Sequence, residues 1–417
     1  MNVLIKSATV LDSSSEFHNQ TVDILIEKGV ITNIAKQLDN PKNYKTLSLP
    51  NLHVSQGWFD SSVSFGEPGY EERETIANGL KTAALSGFTA IALNANTNPV
   101  TDNKSSVNYL KAQAANSPVN LNVVGALTKQ SKGEDLAELF DMHTAGAKAF
   151  YDYQHAVSNP NVLKIALQYA SNFDGLVCSF PQESKISGQG VMNEDITSTS
   201  LGLKGNPPLA EALQVARDLY LLEYTNGKLH IPCISTAESV KLIKAAKKQH
   251  LNVTCSVPIH NLYFTDEALH DFDTNFKLLP PLRNKKDIAA LKKGLEDGTI
   301  DLVTSDHNPI DIEHKKIEFD HALFGTIGLE SAFSALNTLF DTTTAVSLLT
   351  KGKSIYGIMQ HTIAIGQTAD LSLFNPKPKY QFETSHIHSC SSNSVFLKSE
   401  LKGTVYGVYA KGQLMVK

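Results

Sequence analysis

The sequence predicts an α/β protein: a (β/α)₈ TIM barrel with a small discontinuous β-sandwich domain built from both chain ends. Three observations carry this. Eight short apolar runs alternate with helical patterns through the middle of the chain. Period-two alternation, the mark of half-buried strands, is concentrated near the two ends. No Gly-x-Gly-x-x-Gly turn follows any run, which disfavours an open doubly wound sheet.

The elements follow in order. Residues 3–5, 8–10, 22–26 and 30–34 alternate and are separated by turn residues at 27–29 and 39–41, so they read as antiparallel strands. The segments 369–374, 403–410 and 413–416 behave in the same way. Residues 1–50 and 362–417 are therefore assigned to the small β domain and 51–361 to the barrel. Barrel strands are expected at 53–60, 88–93, 121–127, 147–151, 175–178, 229–234, 253–257 and 300–304. Helical patterns at 72–85, 134–143, 209–224, 237–249 and 285–296 lie between them. Two long connections, 180–208 and 258–284, leave the ends of strands five and seven. In a barrel these build the C-terminal rim, where functional groups gather.

Composition narrows the function. The chain has 417 residues, 41% of them hydrophobic, and a formal net charge of -5 with both signs mixed, so nothing marks a nucleic-acid partner. No apolar run reaches the length of a membrane span. The opening residues lack the basic and apolar regions of a secretory signal. Cys178, Cys233, Cys255 and Cys390 are scattered without a Cys-x-x-Cys pair, which fits a reducing cytoplasm.

Residues 57–69 read GWFDSSVSFGEPG. This resembles the first-strand signature of the dihydroorotases, a family of cyclic amidohydrolases: Gly-x-x-Asp-x-His-x-His-x-Arg-Glu-Pro-Gly. Further blocks resemble the family in the same order: Asn96-Thr97-Asn98-Pro99, 190–194, 201–203, Ala210-Glu211, 234–239, Pro280-Pro281-Leu282-Arg283, Ser305-Asp306-His307-Asn308-Pro309 and 324–330. The resemblance covers nearly the whole chain and implies a barrel of the amidohydrolase type. It also implies an activity: hydrolysis or formation of the dihydroorotate ring amide by a zinc-bound hydroxide, since Zn²⁺ lowers the pKa of its water to about 7. The family's ligands are four histidines and an aspartate from different strand ends, with a bridging carboxylated lysine or carboxylate.

At the positions this resemblance assigns, the ligands are missing. Ser62 and Ser64 replace the strand-one histidines, Ser179 the strand-five histidine and Cys233 the strand-six histidine. His230 matches a different family histidine. Asp152 could match a bridging carboxylate, with the register uncertain by one residue, and Asp306 keeps the strand-eight aspartate. Hydroxyls are poor neutral ligands for Zn²⁺, so no metal is expected, with Asp152 and Asp306 the only ligands that could be retained. The substrate clamp changes in parallel. Asn96 is kept as a vestigial substrate-binding residue, but Gly66 stands where an arginine would fork a carboxylate. Leu279 and Ile310 replace an asparagine and a histidine.

Bland readings exist for the remaining polar residues. Asp306 reads as a vestigial catalytic group hydrogen-bonded at the rim. Cys178 and Cys233 lie on apolar strands and read as inert thiols. His260 and His307 read as satisfied structural histidines, and the lysines of 241–248 as a solvated helix face. Two functions follow. One is a non-catalytic member of the family, similar to the pseudo-dihydroorotases that hold aspartate transcarbamoylase in an active assembly; a homodimer is also implied. The other is an active dihydroorotase or related amidohydrolase, using zinc through an unexpected set drawn from Asp306, His307, Asp152, Cys233, His260 and Asn96.

Overall fold

A computed structural model describes residues 1–417. Eight parallel strands line up in chain order: Trp58–Val63, Phe88–Leu93, Asn120–Gly125, Ala149–Phe150, Val177–Cys178, Leu229–Ile231, Val253–Pro258 and Leu302–Thr304. The sheet closes where Val63 bridges His307 in parallel and the Ser64 N–H donates to the His307 carbonyl at 2.7 Å. Every residue of the first two strands is buried. That is the signature of parallel strands covered by helices on one face and by the barrel interior on the other.

The helices begin where the sequence supplies caps. Thr75, Asn103, Thr236 and Asn284 each accept a backbone N–H from the first turn of the helix that follows. In helix Ala237–Lys248 the apolar residues Val240, Ile243 and Ala246 face inward while Lys241, Lys244 and Lys248 remain in solvent. No helix is long and apolar enough to cross a membrane.

The chain ends form one eight-stranded sheet. Its order is Gln413–Val416, Glu400–Ala410, Leu371–Gln381, His53–Gln56, Val3–Val10, Thr21–Glu27 and Val30–Ala35, with Lys45–Leu47 also paired to Val3–Val10. Its strands share a core of 17 buried residues. The strand expected at 53–60 is therefore two strands. Residues 53–56 pair with Leu371–Gln381, and the barrel begins at Trp58. Gly57 separates them because a side chain there would lie 2.0 Å from the Thr89 hydroxyl. The helix expected at 72–85 starts only at Ile76. The residues before it fold into a tight loop in which the Gly66 and Glu67 N–H groups both donate to the Glu74 carbonyl. The helix expected at 134–143 runs over Leu139–Ala145.

The two long connections are ordered and stitched together. Met192–Asn193 pairs with Gly205–Asn206. The buried Arg283 donates from Nη1 to Asn193 Oδ1 (2.9 Å) and the Asn206 carbonyl (2.7 Å), and from Nε to Ser235 Oγ (3.1 Å). Glu211 accepts from the Ser235 and Thr236 N–H groups at 2.9 and 3.0 Å. Several motif residues at the rim are thus accounted for by architecture.

Candidate active site

The C-terminal ends of strands one and eight are joined through Asp60. Its Oδ1 accepts from the Ser62 N–H (3.0 Å) and the Thr304 hydroxyl (2.5 Å), and its Oδ2 accepts from the Ser305 N–H (2.9 Å). This places Ser62 and Asp306 face to face. Ser62 Oγ donates to Asp306 Oδ1 at 2.7 Å and the Tyr153 hydroxyl donates to the same oxygen at 3.3 Å. Cys233 also neighbours Asp306 and slightly offsets the effect of burial on its carboxyl. Asn94 Nδ2 donates to both Ser62 Oγ (3.1 Å) and Ser64 Oγ (3.2 Å). Gln154 Nε2 closes the group from above by donating to the Tyr153 hydroxyl (3.1 Å) and the Leu279 carbonyl (2.9 Å).

The cluster is shut away from solvent. Ser62, Ser64, Asn94, Tyr153, Cys233 and Asp306 are all buried. Beneath them Tyr151, Tyr153, Phe180, Cys178 and Phe59 pack into one apolar group inside the barrel. Tyr151 and Tyr153 meet edge to face with ring centres 5.9 Å apart. Burial lifts Asp306 to about 7, opposed by the Ser62 hydrogen bond and reinforced by Asp60. Burial, helped by Asp306, pushes the Cys233 thiol well above its usual range, so sulfur is held as S–H. Burial raises Tyr151 and Tyr153 well above the usual phenol value, with smaller contributions from Cys233 and Asp306.

Of the six positions matched to the family's metal ligands, Ser62, Ser64, Cys233 and Asp306 converge, and Asp152 and Ser179 do not, which corrects the sequence expectation. Asp152 turns away from the barrel interior and accepts from the Leu127 and Thr128 N–H groups (2.9 and 3.0 Å) and the Thr128 hydroxyl (2.5 Å). It clamps the loop after strand three, and its neighbours Tyr151 and Tyr153 take the inward positions. Ser179 faces helix Pro208–Thr225 and donates to Asp218 Oδ2 at 2.6 Å, while Cys178 and Phe180 point inward. Strand alternation explains both: a shift of one residue moves a side chain to the other face.

Asn96 lies in the loop after strand two with a buried, unpartnered Oδ1. His307 Nδ1 accepts the Gly328 N–H at 3.1 Å, which fixes the proton on a buried Nε2 that has no partner. His260 is buried, pushed down to about 3 by its surroundings, and likewise unpartnered at Nε2. His230 is tied to Thr254 Oγ1 and Ser256 Oγ at 2.9 and 3.2 Å. The residues missed in the sequence are Asn94, Tyr151, Tyr153 and Gln154. Only the inward alternation at 151 and 153 could have signalled them, since tyrosine in a strand ordinarily reads as core.

The donors do not fit the zinc the family uses. Two hydroxyls, a neutral thiol and one carboxyl whose proton leaves only near neutrality are a weak set. No three His, Cys, Asp or Glu side chains anywhere in the chain are grouped to hold a metal ion. The substrate side is closed as well. A Cβ on Gly66 would sit 1.7 Å from the Tyr70 carbonyl oxygen, so no side chain fits there. Ile310 is buried. A cleft of about 970 Å³ lies beside 310–316 and 390–393 and includes none of the cluster.

Two residues of the cluster share an unusual backbone. Cys233 and Asp306 both occupy left-handed conformations, with φ of 56° and 46°. Fourteen other non-glycine residues of the chain share this region, most of them in turns, whereas these two are buried at barrel strand ends.

Comparison with known proteins bears on this geometry. Residues 53–239 match the family described as dihydro-orotase-like. The dihydroorotase of Geobacter metallireducens is 37% identical over 424 residues, covering 100% of both chains. That of Geotalea daltonii is 38% identical over 424 residues, again with 100% of each covered. Among solved structures, L-hydantoinase from Arthrobacter aurescens superposes with a TM-score of 0.86 at 20% identity, covering 100% of this chain and 96% of that one. D-hydantoinase from Thermus sp. gives 0.83 at 21%, covering 100% and 95%.

Proposed function

The chain belongs to the dihydroorotase family of cyclic amidohydrolases, hydrolases of ring amides in pyrimidine metabolism, and from that premise we propose that it is a non-catalytic member, a pseudo-dihydroorotase that holds aspartate transcarbamoylase in its working assembly. One observation carries the reading: a closed hydrogen-bonded core stands where the family's metal chemistry is done. Ser62 and Tyr153 donate to Asp306 Oδ1 and Asn94 Nδ2 ties Ser62 to Ser64, while Asn94 Oδ1 is buried without a partner. Ring-amide hydrolysis at neutral pH needs an activated hydroxide, and nothing in this set generates one. Asp306 serves as an internal hydrogen-bond acceptor. The closure of position 66 and the apolar Leu279 and Ile310 support the same reading from the substrate side. A barrel that serves as a scaffold needs its fold and not its zinc. The partner rests on the family resemblance.

The second reading, an active dihydroorotase or related amidohydrolase with an atypical zinc site, is favoured by one feature. The left-handed backbone at Cys233 and Asp306 is the kind of strain that persists at working sites. Genetic complementation separates the two. The non-catalytic reading predicts that the chain fails to relieve the pyrimidine requirement of a strain lacking dihydroorotase; growth without added pyrimidine contradicts it. Sedimentation of the purified chain with aspartate transcarbamoylase of the same organism tests the scaffold. A stable complex is expected, and independent migration of the two proteins contradicts the partner assignment.

A further inference from the structure

Two lysines, Lys277 and Lys315, are buried close together at the C-terminal rim. Backbone carbonyls, not carboxylates, receive both amine ends. Lys277 lies in the connection after strand seven, and Lys315 ends the one-turn helix Ile312–Lys315 after strand eight. Lys277 Nζ donates to the Phe319 and Asp320 carbonyls (2.8 and 2.9 Å) and stands 5.5 and 5.1 Å from the ring centres of Phe319 and Phe324. Ring faces and carbonyls of this kind hold an ammonium. Lys315 Nζ is less well provided. It donates to the Thr274 carbonyl at 2.9 Å, but to the Lys277 carbonyl only at 3.5 Å, where the Gly325 N–H already donates at 3.1 Å. An ammonium has three hydrogens to place, whereas a neutral amine has two and a lone pair. The surroundings therefore suit the neutral form. Burial and the neighbouring Lys277 charge bring Lys315 down to about 7, against the opposing pull of Asp273.

The position of this amine gives it access to ligands. Lys315 lines the cleft of about 970 Å³ beside 310–316 and 390–393, and also a second hollow of about 670 Å³ bounded by Phe272 and Glu318. With 5% of its surface exposed, it is open to small molecules and closed to large ones. A desolvated lysine next to a second cation is the arrangement that activates an amine for imine chemistry with carbonyl compounds. The walls of the larger cleft narrow the choice. Its four carboxylates outnumber Lys315, Lys316 and His314, which disfavours anionic substrates, while Asn275 and Ser392 offer an amide and a hydroxyl to polar uncharged ones.

We propose that Lys315 is a nucleophilic amine set in the wall of this cleft, and that it condenses with small uncharged hydroxyaldehydes to form an imine. The nitrogen lone pair attacks the carbonyl carbon. Both amine hydrogens pass to the carbonyl oxygen, which leaves as water, and a C=N bond takes the place of C=O. No oxidant or reductant is needed. The site is separate from the Asp306 cluster and does not depend on whether the barrel interior is catalytic.

Reductive trapping on the full-length chain tests it, with DL-glyceraldehyde and cyanoborohydride followed by peptide mass mapping. At neutral pH, Lys315 should take label at least ~10 times faster than the exposed Lys248. The ratio of label on Lys315 to label on exposed lysines should fall about tenfold between pH 6 and pH 8. Over that range Lys315 becomes mostly neutral and its rate levels off, while an ordinary lysine, which titrates near 10.4, is still gaining free amine. The preference should vanish in urea. Glyoxylate, an anionic aldehyde, should favour Lys315 over exposed lysines at least ~5-fold less than glyceraldehyde does. Lys315→Arg should lose the fast adduct with unchanged circular dichroism, and the wild-type map decides alone if that variant does not fold. Label confined to exposed lysines, a Lys315 rate that climbs with pH in step with theirs, a preference that survives unfolding, or preferential labelling by glyoxylate would each overturn the proposal.

Discussion

Asp306 is the residue whose surroundings say most about the site. Its carboxyl accepts from Ser62 and Tyr153, and burial lifts it to about 7, well above the ordinary carboxylate value. The folded protein therefore keeps this proton over a range in which the unfolded chain has lost it. Stability falls as pH rises from about 4 to about 7, and the cost is fully present above 7. Asp306→Asn should remove that cost while keeping an acceptor for Ser62. Relative to wild type, it should gain on the order of 2–4 kcal/mol between pH 5 and pH 8, read from urea denaturation at both values. A difference that does not change with pH would contradict the account of this carboxyl. Gly66 is the second informative residue. Gly66→Ala should cost about 3 kcal/mol or more, because the added carbon meets a backbone oxygen and not a movable side chain. A loss below about 1 kcal/mol would mean that the loop can reopen. The replacements at 62, 64, 66 and 306 were legible in the sequence because a motif fixes their offsets. Asn94, Tyr153 and Gln154 were not, since their roles depend on contacts between distant strand ends.

At the scale of elements, what decides the site is which face of each strand end looks inward. At strands one and eight the family motif fixed the register, and there Ser62, Ser64 and Asp306 come together. Strands four and five have only two paired residues each, Ala149–Phe150 and Val177–Cys178. Such short runs give no period to fix a register, and Asp152 and Ser179 were assigned to the wrong side. The filling of the inward positions by Tyr151, Tyr153 and Phe180 leads to a prediction. Ser62→His combined with Ser64→His should bind less than ~0.1 equivalent of zinc, because two ligands added to a packed interior find neither space nor partners. Near-stoichiometric zinc in that variant would show that a metal-ready cavity survives. The break of the first expected strand at Gly57 was also hidden in the sequence. Residues 53–60 are one apolar run, and only the closeness of Thr89 and the Asp370 carbonyl divides it.

At the scale of the whole molecule, the barrel and the terminal sheet share a core. Trp58, the chain's one tryptophan, stacks on Phe333 with ring centres 4.9 Å apart and lies 5.4 Å from Phe374 of the terminal sheet. Ser372 Oγ donates to the Gly87 carbonyl at 2.6 Å, and the buried Lys353 pairs with Asp370 at 2.7 Å. The two parts should unfold together. Tryptophan fluorescence and far-ultraviolet circular dichroism should give superimposable denaturation curves, and two separated transitions would contradict a shared core. Trp58→Ala should cost about 3–5 kcal/mol. The fold needs no metal to hold it: its stability is spread over a 69-residue hydrophobic cluster and the rim network of Arg283 and Glu211. The most direct test of the central claim is one measurement on one preparation: metal content of unchelated, zinc-supplemented protein, determined alongside dihydroorotate ring opening. The account predicts less than ~0.1 equivalent of zinc and no turnover. Near-stoichiometric metal with turnover that Asp306→Ala abolishes would contradict it.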